Sequence, residues 1–152
     1  MNDQPERPLS GPLPMPFRNL SMTIEPTPEF AIGLYGICKG NPGPGAYKAV
    51  IQHTQTGAER SVEGRAASTT ANRMELTAAI EALKALSPGA VVIVLTNSEY
   101  VMKGMTEWLP GWRAKGWRGS NKKPVVNADL WGALDAAAAA HERVRWVVGK
   151  RA

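Results

Sequence analysis

The seven residues AVVIVLT at positions 90–96 are apolar except for the closing threonine. A strand without polar alternation is stable only when both of its faces are covered, so this run predicts a central strand of a layered α/β domain. One cover stands just upstream. Leu76, Ala79, Ile80, Leu83 and Leu86 recur at i, i+3, i+4, i+7 and i+10, the apolar stripe of a helix that SPG at 87–89 stops.

The segments around this pair complete the pattern. EFAIGLYG reads as a strand, GNPGPG at 40–45 as a tight turn, AYKAVIQHT as a second strand and, after QTGAE, RSVEGRA as a third. Three consecutive antiparallel strands result. Downstream, Ser98 to Lys103 predicts a short helix, Thr106 to Lys115 another, and NADLWGALDAAAAAHER a third whose start Asp129 caps or favours by its charge. Its five alanines, 136–140, predict close packing, and VRWVVG is the last strand.

Residues 1–28 hold seven of the twelve prolines, which blocks helix and disfavours sheet there. They form an extended or disordered arm ahead of a domain spanning 29–152. Leu13, Met15, Phe17, Leu20, Met22 and Ile24 recur along the arm, so an apolar surface is one place for it to lie. The net charge of +5 and the pI near 9.6 favour polyanionic partners. Cys38, the single cysteine, excludes an internal disulfide and a cysteine-built zinc site. With neither a long apolar run nor a signal-peptide pattern, the expectation is a soluble, cytoplasmic protein.

At TTANRMEL, 69–76, the pattern becomes specific. Together with GNPGPG, LTNSEYV and GWRAKGWRGSNKKPVVNADLW, this segment resembles the type 1 ribonuclease H family, in order, over about residues 30–150. The resemblance implies a mixed five-stranded sheet, three antiparallel strands followed by parallel ones, with flanking helices and with the family's C-terminal helix absent. Neither Gly-rich element fits a nucleotide loop, because GNPGPG lacks a following Gly-Lys-Ser/Thr and helix.

That family cuts the RNA strand of an RNA/DNA hybrid with two magnesium ions, held by four carboxylates from separate elements. The resemblance places Tyr35 where the first Asp stands, keeps Glu75 in RMEL, puts Asn97 between Thr and Ser where the second Asp stands, and ends before the fourth. A phenol at 35 removes a metal ligand and fills the space of the ions. One carboxylate of four predicts no metal, no cofactor and no catalysis. Glu99, two residues beyond Asn97, is expected to face elsewhere. Gly149 and Lys150 stand where the family has a Gly-His pair, while His53 and His141 fall in unrelated contexts.

The binding positions are better kept. Between 101 and 127, Lys103, Arg113, Lys115, Arg118, Lys122 and Lys123 face only Glu107, with Trp108, Trp112 and Trp117 interleaved. In the family this is a basic protrusion on the DNA strand. Packing along one helix face is an equal reading for Trp108. Thr70, Asn72 and Asn127 match a phosphate pocket, and Cys38, Gly40 and Asn41 match the turn at the sugar edges, whereas Ala71 and Ile37 replace polar residues.

Three readings follow. The first is a non-catalytic, regulatory protein that binds double-stranded DNA or an RNA/DNA hybrid. The second is an interaction or dimerisation module, with a second copy or a protein partner on the sheet face left open by the missing helix. The third is a residual nuclease.

Overall fold

The structure, a computed structural model, describes residues 27–119 and 122–148. Most of the expected arm, including Leu13 to Ile24, and the Gly149/Lys150 pair lie outside the described residues. Five strands form one sheet in the order β3-β2-β1-β4-β5. β1 (Phe30–Cys38), β2 (Gly43–His53) and β3 (Glu59–Thr69) pair antiparallel, and β4 (Val91–Thr96) and β5 (Arg143–Val148) add on in parallel. This is the mixed sheet expected from the sequence.

The helix α1 (Ala71–Lys84) lies on one face of the sheet. Thr70 caps it, its Oγ1 accepting from the Arg73 N–H at 3.1 Å, and Lys84 complements the other end. Its apolar stripe points at the sheet, with Leu76 and Leu83 almost fully buried against Ile32, Leu34, Val92 and Val94. Burial of each such leucine stabilises the fold by about 1.5–3 kcal/mol. Ala78, Ala79 and Ala82 bring the helix close.

The even residues Ile32 and Leu34 of β1 serve this core, whereas Ala31 joins Ile93, Leu95 and Val147 in a cluster on the other face. The centre of that face is buried rather than open, since Ala31 and Ile93 are each 2% exposed. No helix among the described residues is long and apolar enough to cross a membrane.

Beyond β4 the two helices expected from the sequence run together. α2 (Glu99–Lys103), a π-helical stretch (Gly104–Trp108) and α3 (Leu109–Ala114) follow one another without a break. The wider turn falls at Gly104, where the ring of Trp131 presses on the backbone. A Cβ added there would meet Trp131 Cη2 at 2.0 Å. Gly104→Ala is therefore expected to cost about 3 kcal/mol, read as a drop in Tm of roughly 6–12 °C by calorimetry.

The helix α4 (Ala128–Ala139) meets two expectations in part. Asp129 lies in the first turn, where its charge favours the helix start as expected, but it is not the cap: Asn127 occupies that position in the left-handed region, at φ 63°, and makes no side-chain cap, while Asp129 reaches across to Arg73. The alanine run is packed on one side only: Ala137 and Ala138 lie against the core, whereas Ala136, Ala139 and Ala140 are exposed. The helix end is still tied in, with Ala140 O accepting from Gly89 N–H at 2.9 Å.

Candidate functional site

The sheet register gathers the positions singled out for chemistry. Gly33 of β1 faces Leu95 of β4, so Tyr35 and Asn97, each two residues further on, come to the same end of the sheet. Glu75 arrives there from the second turn of α1. Strand and helix approach so closely that a Cβ on Gly36 would lie 2.7 Å from Glu75 Cγ and 2.8 Å from its backbone nitrogen, so only glycine serves at 36. Ser98 completes the group. It caps α2, its Oγ accepting from Val101 N–H at 3.2 Å, and its hydroxyl hydrogen-bonds to Glu75.

Glu75 is half-buried, and that burial pushes its carboxyl above the usual glutamate range, with the Ser98 hydrogen bond opposing in part. A raised acid destabilises the fold as pH rises through the window between its unfolded and folded values, and costs nothing below it. Glu75→Gln is thus expected to melt higher than the wild type at pH 7, the gap closing as pH falls below about 4. Thermal melts at the two pH values test this; a gap that persists in acid contradicts it.

Tyr35 does not fill the space beside Glu75. It shares the face of Ala31, away from α1, and its phenol folds back along the strand, so that a Cβ on Gly33 would lie 3.6 Å from its hydroxyl. Asn97 is exposed just past β4. Glu99 faces solvent as expected, 4.0 Å from Lys103.

The site therefore offers one carboxylate, a serine hydroxyl, an amide and, on the other face, a phenol. Among the described residues no group of three or more His, Cys, Asp or Glu could hold a metal ion. Two magnesium ions require several converging carboxylates, so the described donor set does not fit a two-ion centre.

Beside this group lies a second one that the sequence reading missed. Arg73, two residues before Glu75, forms a fork with Asp129 at 2.8 and 3.1 Å and donates from Nη1 to Asn127 Oδ1 at 3.0 Å. The pairing lifts the arginine and holds Asp129 below the usual carboxylate range. Asn127 Nδ2 donates in turn to Tyr100 Oη at 3.0 Å. The available signal was the pair of motif residues, an Arg inside NRMEL and an Asp inside NADLW, on two helices that the fold brings together.

The turn after β1 is held by its backbone. Cys38 Sγ contacts the carbonyls of Gly43 and Thr69 at 3.4 and 3.2 Å, Gly40 sits at φ 89°, and the Asn41–Pro42 peptide is cis. A Cβ at Gly43 would strike Lys39 O at 1.7 Å, which makes glycine obligatory in this turn. Beside it opens a groove of about 650 Å³ bordered by Ile37, Lys39, Ala46 and Arg65. Asn72 is exposed at the start of α1.

In the basic segment the tryptophans pack on one another. Trp131, fully buried, packs on Trp112 at 5.2 Å, and Trp112 carries Trp108 at 5.7 Å and Trp117 at 6.1 Å. Arg113 is bound to Asp135 by a fork that includes Nε to Oδ2 at 3.0 Å. Arg118 donates from Nη1 to the Lys122 carbonyl at 3.0 Å, which ties the loop to itself. Lys115, Lys122 and Lys123 are exposed.

A mixed sheet of three antiparallel strands followed by two parallel ones, with helices packed on it, defines the α/β class of the ribonuclease H-like fold. Residues 34–150 match the family model described as RNase H. The chain is 52% identical over 122 residues to Ribonuclease H of Cupriavidus necator, covering 80% of this chain and 83% of that one. To Ribonuclease H of Caulobacter sp. it is 48% identical over 124 residues, covering 81% and 79%. Among solved structures it resembles LC9-RNase H1, a type 1 RNase H with the type 2 active-site motif, at 32% identity and a TM-score of 0.68, covering 84% of this chain and 66% of that one. The chain belongs to the type 1 RNase H family.

These relatives overturn the expectations of a non-catalytic protein and of a bare interaction module. Both rested on counting ligands at three positions and on a missing helix. Identity of about one half with enzymes, over four fifths of the chain, outweighs that count.

Proposed function

We propose that the protein is a ribonuclease H that takes an RNA/DNA hybrid across the end of the sheet where Glu75 lies and hydrolyses its RNA strand. The observation that carries this reading is the 48–52% identity to proteins named Ribonuclease H. A hybrid as substrate is supported by LC11-RNase H1, a fold relative at 23% identity solved in complex with an RNA/DNA hybrid. A foamy viral protease-reverse transcriptase, at 22%, was solved in complex with double-stranded DNA, in keeping with a duplex as the ligand class.

The chain's own residues divide the work. Glu75, poised by burial to hold or take up a proton, stands at the reaction centre with Ser98 orienting its carboxylate. Lys115, Arg118, Lys122 and Lys123 meet the phosphates of the second strand, and the ladder of Trp131, Trp112 and Trp117 holds their loop in place. Thr70 and Asn127, on adjoining helix starts, form a phosphate pocket, and the Cys38, Gly40, Asn41 turn with Asn72 lies along the sugar edges. The donors among the described residues are too few to hold two divalent cations.

The test is direct. Incubation of the protein with a hybrid carrying end-labelled RNA, in magnesium and in manganese, is expected to shorten the RNA, while the same RNA alone stays whole. Intact RNA in both salts, at enzyme in excess over hybrid, overturns the reading.

A further inference from the structure

We infer that Tyr100 is a positioning residue for duplex binding, its one hydroxyl setting both the phosphate pocket and the tryptophan base of the basic loop. The inference rests on the proposal that Thr70, Asn127 and the loop engage a duplex. Tyr100 itself, half-buried on α2, need not touch the nucleic acid.

Its Oη accepts two hydrogen bonds, from Asn127 Nδ2 at 3.0 Å and from Trp131 Nε1 at 3.1 Å. The first decides how the amide of Asn127 lies. With Oδ1 already accepting from Arg73 and one N–H given to Tyr100, the amide cannot flip without losing both partners. Its remaining N–H and the Thr70 hydroxyl, whose oxygen accepts from Arg73 N–H, are then the side-chain donors left for a phosphate. Asn127 is a single residue in the left-handed region at φ 63°, so its backbone alone does not choose the amide's orientation.

The second hydrogen bond reaches the other half of the interface. Trp131 is fully buried, and its indole N–H donates to Tyr100. Trp131 is also the floor on which Trp112, and through it Trp117, stands. The Tyr100 ring packs against Trp131 at 5.2 Å and Trp108 at 6.1 Å, so the phenol is held on its face as well as at its tip. Removing the oxygen leaves the ring packing in place and deprives two N–H groups, one on each half of the interface, of their acceptor.

Four proteins decide the matter: wild type, Tyr100→Phe, Asn127→Gly, which suits the left-handed backbone, and the double variant. Binding to a fluorescent RNA/DNA hybrid is measured by anisotropy over a salt series, with circular dichroism melts alongside. Tyr100→Phe is expected to weaken binding about five- to tenfold and to reduce the salt slope by about one. In the double variant the loss due to Tyr100→Phe is expected to shrink without vanishing, because only the part that runs through Trp131 and the loop remains. A purely structural role would lower Tm without touching the slope, and would multiply with Asn127→Gly; either result overturns the inference. Absence of wild-type binding even at low salt overturns the proposed function itself, and this inference with it.

Discussion

Glu75→Gln is expected to slow cleavage of the RNA strand by at least about a hundredfold, the lower range for loss of a positioned acid or base, while hybrid affinity stays within about twofold. The amide keeps the volume of the carboxylate, so the contact with Gly36 and the hydrogen bond from Ser98 have a like partner. What it loses is the ability to hold charge and exchange a proton at the end of the sheet. Single-turnover rates on end-labelled hybrid separate the two effects, because binding is saturated. A variant that cuts at the wild-type rate removes Glu75 from the reaction centre. Paired with the higher melting temperature expected at pH 7, the variant would show the same carboxylate costing stability and supplying activity.

Duplex affinity is expected to fall steeply with salt, and the double change Lys115→Gln/Lys122→Gln to flatten that slope by about 1.8, as for two lost phosphate contacts. Near physiological salt the loss should be tenfold or more. Arg113→Gln is expected to change affinity much less, because its guanidinium is already engaged by Asp135. Titrations at four salt concentrations measure both quantities. A slope unchanged by the lysine pair, or a larger loss at Arg113, would move the binding surface away from this loop.

Much of the framework is legible in the order of residues because it depends on local pattern. The unbroken apolar run before Thr96 demanded two covered faces, and β4 has Val92 and Val94 on one and Ile93 and Leu95 on the other. The stripe from Leu76 to Leu86 became the buried side of α1 and the residue beyond it. The Gly/Pro turn was read from backbone restrictions alone, and Gly43 shows why nothing larger fits.

Packing between distant segments was not legible. Gly104, at the start of the π-helical stretch, lies under Trp131, which comes from a helix far along the chain and leaves no room there for a side chain. The alanine run looked like a packed helix face, yet only Ala137 and Ala138 of it lie against the core. At the site, Arg73 appeared as one residue of a motif, although its partners Asn127 and Asp129 lie 54 and 56 positions away. The reading of a non-enzyme failed for a related reason: it judged an active centre from three residue types, and the similarity of the rest of the chain to ribonucleases H carried more weight.

By itself the sequence determined which segments are strands and helices, where the chain turns, the excess of positive charge in one loop and the single acid at Glu75. Those properties follow from side-chain periodicity, glycine and proline backbone limits and net charge, all of which are local. Only the tertiary structure decided that Tyr35 turns away from Glu75, that Arg113 is bound to Asp135 while Lys115 and Lys122 stand exposed, and that one phenol on Tyr100 joins Asn127 to Trp131. These depend on which polar groups meet across elements, and a hydrogen bond of 3 Å exists only once the fold has brought its donor and acceptor together.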